Sequence, residues 1–114
     1  DYVNTHATST PAGDLVELEA LRRVFGDAIP AFSSCKGLTG HPIGAAGVHE
    51  SIYALLMMRD SFVAGSPTLS DPDPELAGLP LVRQSRRQAV KSVLSNSFGF
   101  GGTNASLLFR RLSS

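Results

Sequence analysis

The stretch from Pro42 to Met58 constrains the fold more than any other segment, because it predicts a helix that lacks a polar face. Its apolar residues fall on almost every side of a helix: Ile43, Val48, Ile52, Tyr53, Leu55, Leu56, Met57 and Met58. A helix of this kind is usually buried in the middle of a fold. We therefore expect a helix from about Pro42 to Arg59 that is central rather than superficial.

Strand and helix patterns alternate on both sides of this helix. A first helix is expected to have Thr10 as its N-cap and Pro11 as its first residue, and to end at Gly26. The other expected elements are a strand over 1–5, a buried strand over 29–34, a turn over 35–41, a loop over 66–88, and a hairpin of strands over 89–96 and 104–111. This alternation is typical of an α/β layered fold, here in one domain covering residues 1–114.

The composition excludes several classes of protein. The chain has 114 residues with ten basic and ten acidic side chains, which suits one globular domain. It has no Trp and no polybasic arm, so we expect no nucleic-acid partner. It has no apolar run of about 18 residues and no visible leader, so we expect no membrane partner and a cytoplasmic location. The first residue is Asp1 rather than Met, which suggests a piece of a longer polypeptide.

The charges are unevenly distributed along the chain. Residues 1–80 hold all ten acidic residues and four basic ones, whereas residues 81–114 hold six basic residues and no acidic ones. A basic segment can bind an acidic partner. We favour the simpler interpretation, in which these charges keep a solvated sheet edge from aggregating.

Two histidines lie where functional groups often occur. His6 is in a loop at the end of a predicted strand, among hydroxyl residues, although an exposed loop histidine without a role is common. His41 immediately precedes the predicted start of the central helix, where the helix dipole favours a neutral imidazole. A neutral imidazole can donate a hydrogen bond to a carbonyl or accept a proton, and it can also serve as an N-cap.

Lys36 is flanked by small and apolar residues, and a lysine buried among them needs a carboxylate partner. Asp14 and Glu17 are three residues apart on the first predicted helix, so both can face one site. A contact of Lys36 with either carboxylate is possible on spacing alone.

The predicted hairpin has a glycine-rich tip with two aromatic residues, Phe98-Gly-Phe-Gly-Gly102. It lacks the spacing of a dinucleotide fingerprint. Its glycines allow positive φ and leave backbone N–H groups accessible. Phe98 and Phe100 could gate an apolar tunnel, or the segment could be a simple turn.

Cys35 is the only cysteine, which excludes a disulfide within the chain and a four-thiolate zinc site. It could act as a nucleophile beside His6 or His41, or join a metal site with His49. We expect instead an inert, buried thiol and no metal site, because a lone cysteine usually behaves as a small apolar residue.

Three segments together resemble the C-terminal half of a β-ketoacyl-acyl carrier protein synthase, a condensing enzyme of the thiolase superfamily. They are His6-Ala-Thr-Ser-Thr-Pro-Ala-Gly-Asp14, Lys36-Gly-Leu-Thr-Gly-His-Pro-Ile-Gly-Ala-Ala-Gly47, and Asn96-Ser-Phe-Gly-Phe-Gly-Gly-Thr-Asn104. The match covers essentially the whole chain in the right order. The stretch from Gly47 to Met58 is most similar to the synthase I group of bacterial type II fatty acid synthesis.

The resemblance implies a thiolase-like fold, in which this chain supplies the C-terminal half of a five-layer α/β/α/β/α sandwich. It implies a decarboxylative Claisen condensation of malonyl-acyl carrier protein with an enzyme-bound acyl group. The implied partners are an acyl carrier protein, the N-terminal half of the same enzyme, and a second copy in a homodimer. No cofactor is implied beyond the phosphopantetheine that the carrier protein brings.

The resemblance also implies roles for single residues. His6 and His41 match the two active-site histidines, which hold the thioester carbonyl and assist decarboxylation. Lys36 matches the active-site lysine and Glu17 its carboxylate partner, with Asp14 as a nearby support. The remaining matches are the phosphopantetheine-binding hydroxyls and the residues of the gating loop: Thr8, Thr10, Phe98, Phe100, Gly101 and Gly102.

Two features of the sequence depart from the family pattern. Ala7 stands where the family usually has glycine, which matters if that position needs a positive φ. The nucleophilic cysteine of the family lies in its N-terminal half, and Cys35 does not match it. Two alternatives remain open: a ketosynthase domain of a polyketide synthase, which the Ser106 position disfavours, and a non-catalytic fragment or decoy that lacks the nucleophile.

Overall fold

The computed structural model describes residues 1–10, 12–66 and 73–113. The strands are β1 (Tyr2–Asn4), β2 (Ala31–Ser33), β3 (Phe62–Val63), β4 (Arg86–Arg87), β5 (Ser92–Phe98) and β6 (Asn104–Arg110). The α-helices are α1 (Gly13–Phe25), α2 (Lys36–Thr39) and α3 (Ala46–Asp60). Short 3₁₀ turns cover Ile43–Ala45, Pro74–Leu76 and Phe100–Gly102. None of these helices is long and apolar enough to cross a membrane.

The main sheet has the strand order β2-β1-β5-β6. β1 runs parallel to both β2 and β5, whereas β5 and β6 form the predicted antiparallel hairpin, with Phe98 paired to Asn104 at its tip. A parallel bridge from Phe32 to Leu81 extends the sheet beyond β2. β3 and β4 pair separately as an antiparallel ribbon, so part of the segment predicted as a loop over 66–88 is a strand.

Helices pack on both faces of the sheet, which confirms the α/β layered fold. Strand residues alternate in direction. Val3 and Phe32 therefore pack with Leu18 and Leu21 of α1. On the opposite face, Tyr2 and Val93 belong to the cluster that includes Ala54, Met57 and Met58 of α3.

The central helix differs from its prediction in two ways. It begins at Ala46 rather than Pro42, because Ile43 has a left-handed φ of 51°, and a 3₁₀ turn precedes it. One side of α3 is buried on the sheet, but Val48, Ile52 and Leu55 are 63%, 50% and 51% exposed. Within this chain, the apolar helix therefore lies on a surface and presents an apolar face.

Two other element boundaries also differ. α1 begins at Gly13, although the Thr10 hydroxyl oxygen still accepts the N–H of Gly13 at 3.2 Å, and Gly26 ends the helix as predicted. Pro11 lies outside the described residues. The segment predicted as a turn over 35–41 contains the short helix α2.

Two arginines of the basic C-terminal segment bind the C-terminal end of α3. The Arg87 guanidinium donates to the Asp60 carbonyl, and the Arg111 guanidinium donates to the Met58 carbonyl. Cations at a helix C-terminus satisfy its free carbonyls and interact favourably with its dipole. β6 is an edge strand of the described sheet and carries one residue of the basic segment, Arg110, at its end.

Candidate active site

The structure brings two predicted histidines and one predicted aromatic residue together at one end of the sheet. His6 follows β1, His41 follows α2, and Phe98 ends β5. The His6 ring lies 5.5 Å from the His41 ring in an edge-to-face arrangement and 5.5 Å from the Phe98 ring, measured between centroids. The imidazoles therefore share one partly apolar surface where a single substrate group can meet both.

Glu17 holds the loop that carries His6. Its two carboxylate oxygens accept the backbone N–H groups of His6 and Ala7, each at 3.0 Å, and Oε1 also accepts Asn96 Nδ2 at 3.2 Å. The Glu17 side chain is buried, and burial raises its pKa while these hydrogen bonds act in the opposite direction. The departure at Ala7 is tolerated because Ala7 is not among the described residues with positive φ.

A second carboxylate of α1 faces the next part of the same loop. Burial raises the pKa of Asp14, and the nearby backbone N–H groups of Thr10, Ser9 and Thr8 act in the opposite direction. Ser9, in the same loop, has a left-handed φ of 63°. Glu17 therefore holds the His6 loop through hydrogen bonds, and Asp14 lies beside the next part of that loop.

Burial lowers the pKa of His6, and the charges of Lys36 and His41 lower it further. Its Nδ1 atom is buried and has no hydrogen-bond partner among the described residues. The imidazole is therefore neutral at neutral pH. A neutral ring in this position can donate a hydrogen bond to a carbonyl oxygen as negative charge develops on it.

We predict that His6 titrates below the ordinary value of 6.5. Between the ordinary pKa of the unfolded chain and the lower pKa of the folded protein, the unfolded chain binds more protons at His6. The free energy of unfolding therefore decreases as the pH is lowered through this range, and the loss is complete below the folded-state pKa. NMR titration of the histidine ring protons measures the midpoint in the folded protein and in urea. A folded-state midpoint at or above the urea value contradicts the prediction.

Lys36 forms its ion pair with Glu50 of α3, which corrects the predicted pairing with Glu17 or Asp14. The Lys36 and Glu50 side chains are only 5% and 3% exposed. Glu17 binds the His6 loop and Asn96 instead, and it interacts with Lys36 only through longer-range electrostatics. One sequence signal could have identified Glu50: it is the acidic residue within the mostly apolar stretch over 42–58, and an acid buried there needs a cation.

Ser34 and Asn96 are further residues of the site that sequence reasoning did not single out. The Ser34 hydroxyl donates to the Ala7 carbonyl at 2.9 Å and accepts the backbone N–H of Lys36 at 3.3 Å. It therefore joins the His6 loop to the helix that carries Lys36. Asn96 supplies the third hydrogen bond to Glu17 from the neighbouring strand β5.

The glycine-rich tip has the predicted backbone freedom. Gly101 and Gly102 have φ values of 81° and 83°, which only glycine adopts easily. Gly99 N–H donates to the Thr103 carbonyl at 2.7 Å and closes the loop. Phe100 is fully exposed, whereas Phe98 is half-buried against His6.

Cys35 is buried and lies in the apolar cluster with Tyr2 and Ala54. Burial, helped by the charge of Glu50, raises the pKa of its thiol to about 11. A thiol in this state is a poor nucleophile. The described residues contain no cluster of three or more His, Cys, Asp or Glu side chains that could hold a metal ion.

We predict that native Cys35 resists alkylation. With a pKa of about 11, roughly one thiol in a thousand is ionised at pH 8, and the sulfur is also sterically covered. Iodoacetamide labelling followed by peptide mass spectrometry should modify Cys35 in guanidinium but not under native conditions. Rapid native labelling at the rate of a free thiol contradicts this result.

Comparisons with known proteins identify the family of the chain. Residues 1–70 match the model of the beta-ketoacyl synthase C-terminal domain. The 3-oxoacyl-[acyl-carrier-protein] synthase 1 of Escherichia coli (strain K12) is 53% identical over 112 residues, covering 98% of this chain and 28% of the relative. The mitochondrial 3-oxoacyl-[acyl-carrier-protein] synthase of Arabidopsis thaliana is 48% identical over 115 residues, covering 96% of this chain and 25% of the relative.

Solved structures give the same fold. A beta-ketoacyl synthase from Burkholderia phymatum STM815 has a TM-score of 0.89 and 42% identity, covering 98% of this chain and 28% of that one. A type II polyketide synthase acyl-carrier protein in complex with its ketosynthase bound to the hexaketide gives a TM-score of 0.91 and 28% identity, with the same coverage. The chain thus spans little more than a quarter of the proteins it matches. Because the family model covers more than half of it, the chain belongs to the beta-ketoacyl synthase family, and its α/β fold is the C-terminal half of a thiolase-like ketosynthase.

Proposed function

We propose that the full-length protein catalyses the decarboxylative Claisen condensation of malonyl-acyl carrier protein with an enzyme-bound acyl group in fatty acid elongation. Residues 1–114 supply the half of the site with two histidines, a lysine and a gating loop. The observation that carries the proposal is the placement of a neutral His6 beside His41, on a loop held by Glu17. The 53% identity to a synthase 1 supports the fatty acid substrate class.

The chemistry of this reaction needs hydrogen-bond donors at two moments. Loss of carbon dioxide from malonyl thioester leaves an enolate, and attack of its carbon on the acyl thioester creates a tetrahedral oxyanion. In our proposal the imidazoles of His6 and His41 stabilise the enolate oxygen, and the backbone N–H of Phe100 stabilises the second oxyanion. Preorganised donors in a site that excludes water stabilise such charges strongly.

The other residues have supporting roles in the proposal. Lys36 acts as a fixed positive charge, held by Glu50, that adds to the effect of burial in keeping the His6 imidazole neutral. The hydroxyls of Thr8 and Thr10 receive the phosphopantetheine arm of the carrier protein, and no other cofactor is required. The gating loop is formed by Phe98, Phe100, Gly101 and Gly102, and the exposure of Phe100 and the backbone freedom of both glycines support its movement.

The proposal needs partners that this chain does not contain. Since native Cys35 is buried and protonated, the nucleophile is placed in a part of the full-length protein outside residues 1–114. The exposed apolar face of α3 supports packing against that remaining half. The complex of a related ketosynthase with its acyl-carrier protein supports a carrier-protein partner, and we propose a homodimer as the assembled form.

The test is a condensation assay with the full-length protein. Acyl-acyl carrier protein and malonyl-acyl carrier protein are incubated with the enzyme, and the β-ketoacyl product is measured by mass spectrometry. Product that requires both substrates supports the proposal. An absence of product with every acyl primer contradicts it.

A polyketide ketosynthase is the second candidate, because the structural relatives include a ketosynthase bound to a hexaketide at 28% identity. The higher identity to a synthase 1 favours the fatty acid reaction. The same assay separates the two functions when saturated acyl primers compete with poly-β-keto primers. Preference for the poly-β-keto primer favours the polyketide function.

A further inference from the structure

A chain of hydrogen bonds leads from the edge strand of the sheet to the His6 loop. Ser106 of β6 lies directly opposite Asn96 of β5 in the strand register. The Ser106 hydroxyl donates to Asn96 Oδ1 at 2.8 Å, and Asn96 Nδ2 donates to Glu17 Oε1 at 3.2 Å. Glu17 in turn accepts the backbone N–H groups of His6 and Ala7.

The Asn96 side chain needs a fixed orientation to take part in this series of hydrogen bonds. Its amide has a donor end and an acceptor end of nearly the same shape. If the amide were reversed, its oxygen would face the Glu17 carboxylate, and the two acceptors would repel each other. The Glu17 carboxylate, which only accepts, therefore selects the useful orientation, and the Ser106 hydroxyl holds the amide in it by donating to the oxygen end.

Burial makes the partner of this oxygen important. Asn96 is only 6% exposed, so an oxygen without a donor there would lose its hydration without compensation. Ser106 itself is exposed on β6 within the described chain. Its hydrogen bond to Asn96 is its one side-chain bond among the described residues.

We propose that Ser106 is a positioning residue, which holds the Asn96 amide so that Glu17 keeps the His6 loop in its working geometry. Ser106 touches neither histidine and acts through Asn96 and Glu17. The effect of Ser106 on catalysis rests on the proposed function. Its effect on the position of the His6 loop does not depend on that function.

The first test measures the loop without any activity. Hydrogen exchange at the His6 and Ala7 amides is compared in the full-length protein and in Ser106→Ala, Ser106→Thr and Ser113→Ala. We expect Ser106→Ala to speed exchange about five- to tenfold, consistent with the loss of one buried hydrogen bond. Ser106→Thr keeps a hydroxyl and suits a strand, so it should keep the parent rate.

The controls decide between a local and a general effect. Ser113 lies beyond β6 and makes no side-chain hydrogen bond in the described part of the chain, so Ser113→Ala should exchange like the parent. The Val93 amide in the core of the sheet reports general loosening. Parent-like loop exchange in Ser106→Ala, or equal acceleration at Val93, overturns the proposal.

The second test measures decarboxylation of malonyl-acyl carrier protein by the same variants. We expect Ser106→Ala to lower kcat about five- to tenfold with little change in KM, and Ser106→Thr to restore it. An unchanged kcat in Ser106→Ala contradicts the catalytic part of the inference. If the parent itself shows no decarboxylation, the proposed function fails, while the exchange data still decide the positioning role.

Discussion

His41→Ala in the full-length protein is expected to lower the rate of malonyl decarboxylation by about 10²–10³-fold, the usual effect of removing one preorganised donor to a developing oxyanion. His41 and His6 face each other at 5.5 Å between ring centroids, so they can donate to one enolate oxygen from two directions. The alanine leaves the His6 loop intact, because Glu17 rather than His41 holds that loop. The loss of decarboxylation activity should therefore come from the missing hydrogen-bond donor and not from a change in the His6 loop.

The chain offers a matched control for this substitution. His49 lies on α3 and packs near Tyr53 rather than near the histidine pair, with ring centroids 6.4 Å apart. His49→Ala should keep the parent rate, whereas His6→Ala should lose activity as His41→Ala does. Release of carbon dioxide from malonyl-acyl carrier protein is the measured quantity. Retained decarboxylation in His41→Ala removes the role that we propose for that residue.

Glu50→Gln is expected to lower the free energy of unfolding by about 3–5 kcal/mol, because it leaves the buried Lys36 charge without a partner. Glutamine has nearly the same shape as glutamate, so the decrease in the free energy of unfolding measures the loss of the charge rather than a change in packing. Lys36→Met should destabilise by a similar amount, since it leaves the Glu50 carboxylate buried alone. Chemical denaturation of the full-length protein measures both values.

A double substitution separates the pair from its single members. Lys36→Met combined with Glu50→Leu removes both charges and keeps apolar volume, so it should be much more stable than either single variant. Arg59→Ala with Asp60→Ala removes an exposed pair and is the control for a change of two charges. If the buried double variant is as unstable as the sum of its single variants, Lys36 and Glu50 do not act as a pair.

The order of elements was predictable because the local signals agree with the fold. Apolar periodicity and Gly26 located α1, and the glycine-rich tip located the hairpin of β5 and β6. The start of α3 was predicted too early, because the sequence Pro42-Ile43 carries no signal for an isoleucine with a left-handed φ. Such a conformation is imposed by the surrounding structure and has no local sequence signature.

The candidate site was predictable in its histidines but not in its hydrogen bonds. His6 and His41 follow separate elements of the chain, and their meeting follows from the parallel pairing of β1 with β2. The choice between Glu17 and Glu50 as partner of Lys36 depends on which carboxylate the tertiary structure places beside the ammonium group. Spacing along α1 could not reveal that placement.

The most direct measurement is to locate the acyl group after the full-length protein reacts with acyl-acyl carrier protein. Peptide mass spectrometry of the parent and of Cys35→Ser identifies the modified residue. We predict an acyl adduct outside residues 1–114 that is equally abundant in Cys35→Ser, since Cys35 is buried and its thiol has a pKa of about 11. An adduct on Cys35, or its loss in Cys35→Ser, would contradict the division of the active site between this half and the rest of the protein.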